Sequence, residues 1–398
     1  MKKLFLSVIG MYFMMVAALS QDSTRSATTY KPRKLKLEEV NLVSSYYNQD
    51  GNNSAVTGGI GSEKLNDISN SVDIRLNMYD KQSRKHTITG ELGIDHYTSA
   101  SSDKIDPSTI SSASHADTRF YPSIGWTMEN EKKGSTIGAG ASFSTEFDYT
   151  SIGANINFSK KTKNRNGEFT AKAQMYFDKV SLIYPIELRP PGMRDENDYV
   201  TTGRNSYSAS LGWSQVINKQ LQISLEGDVV YQSGYLGLPF HRVYFNNLSV
   251  HVENLPSTRL KIPLGIRANY FISDNFIIRA WYRNYHDDWG IHSNTAQLET
   301  VVKLNPFLSI TPFYRFYQQS AVDYFAPYGI HTAADPYYTS NYDLSKFTSH
   351  FFGAGFRAAP PEGVFKLKHF SMIEIRYGHY RKTTGMNSDI ISLNLTFH

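Results

Sequence analysis

The chain has 398 residues, no cysteine and a formal net charge of +5 spread along its length. Without thiols, disulfide scaffolds, thiolate metal centres and lipid attachment through an N-terminal cysteine are excluded. The dispersed charge fits a solvated surface with polar turns rather than a nucleic-acid partner. Aromatics reach 14% and mean hydropathy is −0.41, the profile of a protein with half its strand positions in water and aromatic bands at two interfaces.

In chain order, Lys2 and Lys3 open a charged region, Leu4 to Ala18 is an apolar run, and Ala18 and Ser20 are small. This pattern predicts an export signal over 1–20, cleaved before Gln21. The run is short for a membrane helix, and no later stretch approaches the ~20 apolar residues such a helix needs. A spanning chain of this kind has to be a closed barrel, because lipid offers no partner to an open strand edge. Residues 21–37 are expected to be a short N-terminal periplasmic segment, and 38–398 the barrel.

From residue 38 to the end, apolar residues recur at every second position, the period of a strand with one apolar face. Leu260, Ile262, Leu264, Ile266, Ala268, Tyr270 and Ile272 share one face, opposite Lys261, Gly265, Arg267 and Asn269. The pattern predicts strands near 38–48, 70–80, 86–97, 119–129, 135–147, 151–160, 168–178 and 206–217. Eight more follow near 220–232, 259–272, 276–286, 295–304, 307–318, 346–358, 370–380 and 389–398. Their length suits a tilted membrane crossing.

The connections sort by parity. One set is short, and the other holds every long segment: 49–69, 98–118, 179–205, 233–258 and 319–345. Short periplasmic turns alternating with long outer loops are expected of a bacterial barrel. The fold expected is therefore an all-β transmembrane antiparallel barrel of about sixteen strands. Two connections fit less well, the short one at 148–150 and the longer one at 360–368, so fourteen strands is the alternative. The chain ends Leu393-Asn394-Leu395-Thr396-Phe397-His398. That ending resembles a signal for the barrel-insertion machinery, with its aromatic residue penultimate.

Four stretches carry a family likeness: Tyr46 to Gly59, Glu146 to Gly153, Tyr282 to Ile291 and Tyr314 to Ala321. Together they resemble the domain-of-unknown-function family 3570 of bacterial proteins expected to be outer-membrane barrels. The glycine-rich first loop looks like the Bacteroidetes-type version. The resemblance implies architecture and location and transfers no activity.

Three constellations could carry chemistry. Asp73, Arg75, Glu91, Glu226, Asp228, Arg267, Arg279, Arg283, Arg315, Arg357, Glu374 and Arg376 all fall opposite the apolar face of their strands. On the lipid side an arginine near the midplane costs about 2–4 kcal/mol, so these charges are expected in the lumen. There they form either a ladder of cross-strand ion pairs or a charged constriction. The second constellation is His286, Asp287, Asp288, Trp289 and His292 at an outer strand end. It reads as a polar hairpin tip with Trp289 in the outer aromatic girdle, or as an Asp/His site in the barrel mouth. Adjacent aspartates point to opposite faces of a strand, which argues against the site. The third is the loop from Asn48 to Gly61, where Asp50, Asn52 and the nearby Glu63 could offer oxygens to Ca²⁺. A calcium loop normally brings more carboxylates, so an ordered turn is the expectation and no metal or cofactor is assigned.

The function expected is a passive channel or solute transporter of the Gram-negative outer membrane, with a charged lumen and a loop-gated mouth. The alternative is a non-conducting surface scaffold or the outer-membrane partner of a periplasmic or secreted protein. The third reading is a barrel-mouth hydrolase. Expected partners are outer-membrane lipid and lipopolysaccharide, the insertion machinery, and small solutes or a protein partner. Nucleic acid is not among them.

Overall fold

Side chains alternate between the two faces of a strand, so each run apolar at every second position has one lipid-compatible side and one wet side. Sixteen such strands pair edge to edge in a computed structural model that describes residues 34–98, 116–191 and 199–398. The expected export signal and nearly all of the 21–37 segment lie outside the described residues.

The wall begins with β1 (Lys36–Asp50), β2 (Leu65–Tyr79), β3 (Lys85–Thr98), β4 (Ala116–Asn130) and β5 (Ser135–Thr145). It continues through β6 (Tyr149–Lys161), β7 (Gly167–Ser181), β8 (Thr201–Val216) and β9 (Leu221–Gly234). A separate two-stranded ribbon, β10 (Arg242–Tyr244) with β11 (Val250–Val252), stands inside the next loop. The wall resumes with β12 (Thr258–Phe271), β13 (Phe276–Asp287), β14 (His292–Asn305) and β15 (Leu308–Gln319). It ends with β16 (Phe347–Ala358), β17 (Phe370–Lys382) and β18 (Asn387–Phe397). Every pair is antiparallel, β9 bonds to β12, and β18 closes on β1 from Val40↔Phe397 to Asp50↔Asn387.

All sixteen expected strands are present, and the fourteen-strand alternative falls. Both doubtful connections are real. Residues 146–148 form a three-residue link at the loop end, and 359–369 form a longer turn holding a 3-10 turn at Val364–Lys366. The first strand starts at Lys36, two residues before the expected boundary. The ribbon in the loop after β9 was not expected.

The turns follow from local chemistry. Asn218 Oδ1 accepts the N–H groups of Gln220 and Leu221, and Asn305 Oδ1 those of Phe307 and Leu308. Both are side-chain mimics of a backbone turn. In the β2–β3 turn the Asp80 carboxylate accepts from the Arg84 and Gln82 N–H groups and from the Arg84 and His86 side chains. The Arg84 N–H foremost holds that carboxyl far below the usual range.

The outward face is apolar through its middle, where Ile124, Ile152, Ile156, Leu211, Leu264 and Leu298 are all more than half or half exposed. Toward the turn end this face carries Trp126, Phe158, Phe169, Trp213, Tyr270 and Phe276. Toward the loop end it carries Tyr46, Tyr207, Tyr231, Tyr282, Tyr314 and Tyr377. An exposed apolar belt between two aromatic girdles is what hydrocarbon and its two interfaces require of a barrel wall.

An arginine at Leu264 should therefore destabilise the barrel by about 2–4 kcal/mol, whereas one at lumen-facing Ser224 should cost far less. Urea unfolding in lipid vesicles measures the difference; equal costs would refute the assignment of faces.

The lumen wall and its loop cap as candidate functional site

Every residue of the expected charge ladder lies opposite the exposed apolar set. Asp73 and Arg75 flank Ile74, Arg267 follows Ile266, Arg315 follows Tyr314, and Arg376 stands between Ile375 and Tyr377. The pairing is mixed. Arg75 reaches Glu39 at 3.5 Å, Asp73 accepts from Asn41 at 3.2 Å, and Glu91 accepts from Ser123 at 3.3 Å. Arg267 binds Glu226 at 2.6 Å and lies 5.0 Å from the Trp281 ring. Arg357 and Glu374 are register partners, and Asp228 faces Ser210.

The centre of the ladder is a residue that was not singled out, Glu299 on β14. It binds Arg279 of neighbouring β13 and Arg376 of β17, three strands away, each at 2.9 Å. Arg376 crosses the wall over the Phe313 ring at 4.2 Å. Gly353 and Gly378 leave the space: a Cβ at Gly378 would sit 2.5 Å from the Phe351 ring, and one at Gly353 2.0 Å from the Tyr377 carbonyl oxygen. The same parity rule that found the arginines would have found Glu299.

The wall has two unlike halves. Along the middle of β4 to β8 many lumen positions are small, including Ser123, Gly125, Gly140, Ser142, Asn155 and Gly212, beside a cavity of about 570 Å³ that Arg119, Lys172, Tyr121 and Tyr176 also line. Along β13 to β17 they are Arg279, Trp281, Arg283, Phe313, Arg315 and Phe351.

Near the loop end, three buried aspartates repeat one arrangement. Asp95 binds Arg119 at 2.5 Å and accepts from Tyr121 at 2.8 Å. Asp178 binds Arg204 at 3.0 Å, and Arg204 donates to the Tyr149 hydroxyl at 3.0 Å. Asp287 binds Arg259 at 2.5 Å and accepts from Tyr285 at 2.7 Å. Asp287 is the first aspartate of the outer-mouth cluster, and it is 1% exposed. Its Oδ1 also accepts the Trp289 and Ile291 N–H groups, at 3.1 and 2.9 Å, which folds the β13–β14 turn.

The rest of that cluster disperses. Asp288 caps the Leu260 N–H at 2.9 Å. His286 and His292 stack on the outer face with ring centres 4.3 Å apart. The sequence places Trp289 in the outer girdle, and the structure corrects this. Trp289 is 3% exposed, donates to the Thr258 carbonyl at 2.8 Å and lies beneath Arg259 at 4.3 Å. The turn that Asp287 ties swings the indole inward, where it packs with Ile291 and Val322. Removing Asp287 strands a buried guanidinium, so Asp287→Ala should cost about 3–5 kcal/mol of stability. Asp288→Ala should cost under about 1 kcal/mol on the same denaturation assay.

The loops above interlock into a cap. Glu253, 5% exposed, accepts from the Leu238 N–H at 2.9 Å and the Thr339 hydroxyl at 2.5 Å, with His241 Nδ1 at 3.5 Å. Burial alone would push its carboxyl up. The interaction with His241 and these hydrogen bonds outweigh burial and hold it low. Arg242 of the ribbon binds Glu187 at 2.5 Å and the Val56 carbonyl at 2.8 Å, joining three loops. Gly58, at φ +81°, fits under the Tyr244 ring, 2.6 Å from where a Cβ would stand. Bridges Phe245↔His331 and Asn254↔Tyr338 tie the ribbon loop to 320–346. That loop dips inward at Tyr342–Leu344, where Lys382 of β17 holds Asp343 at 2.7 Å.

The first-loop oxygens do not converge. Asp50 is exposed and 3.6 Å from Lys64, while Glu63 tucks beneath Gly51. Burial and the nearby Asp343 push the Glu63 carboxyl up. Among the described residues no three His, Asp or Glu side chains gather as a metal site.

Asp148, in the short β5–β6 link, is buried beside Glu146 and Asp117, and burial foremost pushes its carboxyl up to about 7. A raised acid favours folding most when both states are protonated, so this contribution is lost as pH rises from about 4 to about 7. Asp148→Asn should abolish that loss. Thermal unfolding across this pH range checks it, and parallel curves for both proteins would refute it.

No curated protein matches the chain. Solved structures resemble it over most of its length. A ferric enterobactin receptor of Pseudomonas aeruginosa is 12% identical, with 87% of this chain and 54% of the receptor covered and a TM-score of 0.46. The chain thus spans about half the length of that receptor. OccAB3 of Acinetobacter baumannii is 11% identical, with 91% and 99% covered and a TM-score of 0.42. A BenF-like porin of Pseudomonas fluorescens is 6% identical, with 90% and 98% covered and a TM-score of 0.42. Three of the four stretches that carried the family likeness fall within residues 95–384, and the Tyr46–Gly59 stretch lies before them. Over those residues 95–384 the sequence matches one family throughout, and the chain belongs to it: Protein of unknown function (DUF3570).

Proposed function

We propose that this protein is a passive channel of the Gram-negative outer membrane for small polar solutes, with the loop cap narrowing its outer mouth. The observation that carries the reading is the sorting of faces. Apolar side chains cover the outside, and the inside carries charges, hydroxyls and glycines from one end to the other. A lumen so lined holds water, and its small-residue half leaves room for a solute beside the charged half. The barrel-mouth hydrolase gains no support, because Asp287 already holds Arg259, Tyr285 and two backbone N–H groups. Export by the 1–20 signal, cleavage before Gln21 and a Bacteroidetes-type source complete the proposal.

The purified barrel in a planar bilayer should give discrete conductance steps. Glu253→Ala, which cuts three cap contacts, should make the open level larger or longer-lived. A folded barrel that never conducts, with or without that substitution, overturns the channel reading and leaves a surface scaffold, for which the interlocked cap would be the interface.

A further inference from the structure

Apart from Glu374, which is level with Arg357 near the turn end, the acids on the β12–β17 side of the lumen are already committed. Glu226 holds Arg267, Glu299 holds both Arg279 and Arg376, Asp287 holds Arg259, and Asp343 holds Lys382. Three lumen guanidiniums are outside these pairs: Arg357 is level with Glu374 near the turn end of β16, while Arg283 and Arg315 lie further toward the loops. Among the described residues, neither Arg283 nor Arg315 has a carboxylate within ion-pair distance. Arg315 donates through Nε to Gln297 at 2.7 Å, which leaves its outer N–H edge unused. It lies 5.9 Å from the Trp281 ring and 5.6 Å from the Phe351 ring.

Register brings the two arginines to one chamber. Arg283 is level with Thr295 and Tyr317, and Arg315 is one lumen position lower, level with Trp281 and Gln297. Both line a cavity of about 470 Å³, together with Trp281, Tyr317, Phe351 and Tyr380. Arg283 also lines the space above, which Asp343 and Leu344 of the cap roof over. A guanidinium pairs best with a planar oxyanion through two parallel hydrogen bonds. The surrounding rings would take a flat apolar body.

We propose that this chamber is a binding site for aromatic monocarboxylates: the carboxylate on Arg315 and Arg283, the ring among Trp281, Phe351 and Tyr317. The proposal deepens the channel reading, on which it rests for the route by which solute reaches the chamber.

The test is calorimetric titration of the full chain in detergent with 4-hydroxybenzoate, 4-hydroxybenzamide and acetate, run beside bilayer conductance. The hydroxybenzoate should bind saturably. The neutral amide and acetate, each lacking one half of the recognition, should bind at least about tenfold more weakly. Arg283→Gln and Arg315→Gln should each weaken hydroxybenzoate by about tenfold, and Arg315→Lys should restore only part of the loss. Heat-modifiable gel mobility verifies that each variant is folded. Absent binding by the unmodified chain, equal affinity for acetate or the amide, or glutamine variants that bind as the unmodified chain does would overturn the proposal. Binding without conductance would discard the channel and keep the site; conductance without binding would do the reverse.

Discussion

The constraint on which this molecule depends is that no backbone N–H or carbonyl can face hydrocarbon unpaired. A sheet meets that demand only by closing, and here β18 returns to β1. Closure then forces the side chains to sort, since successive residues on a strand cannot share a face. The apolar belt, the two girdles and the polar lumen are consequences of a closed ladder whose outward positions happen to be apolar in sequence. What remains for selection to act on is the identity of the inward residues and of the loops.

Inward residues along β13 to β17 are organised around a shortage of acids. Glu299 serves two arginines at once, one of them three strands distant, and can do so because Gly353 and Gly378 leave the intervening wall thin. Two cations are left beside aromatic rings. The opposite half is richer in glycine, serine, threonine and asparagine, with Arg119 and Arg204 each held by a buried aspartate. A net charge of +5 for the whole chain conceals this local imbalance.

Much of this was legible in the sequence, and the reason is periodicity. Each wall strand carries its own signal, so sixteen independent readings located sixteen strands, including those beside the two awkward connections at 146–148 and 359–369. The parity of loop lengths was equally local. Legibility ended where partners are distant in sequence and carry no period. The β10–β11 ribbon has three residues per strand, too few to alternate recognisably. Its ties to residues 331 and 338, and the Glu253–Thr339 contact, join segments more than eighty residues apart. Trp289 shows the same limit at short range. An indole beside a strand end fits a girdle or a core, and what decides is whether the preceding aspartate binds the N–H groups after it.

The seam between the first and last strands also governs how cargo could leave. Its register runs unbroken over the length of the last strand, from Val40 to Asp50 of the first, Thr396 donates to Asn41 across it at 2.7 Å, and Asn53 reaches the Thr384 carbonyl above it. A seam stitched this way offers no sideways slit through which a greasy molecule could slip into the bilayer core. A hydrophobic cargo would therefore find no exit to lipid between the first and last strands.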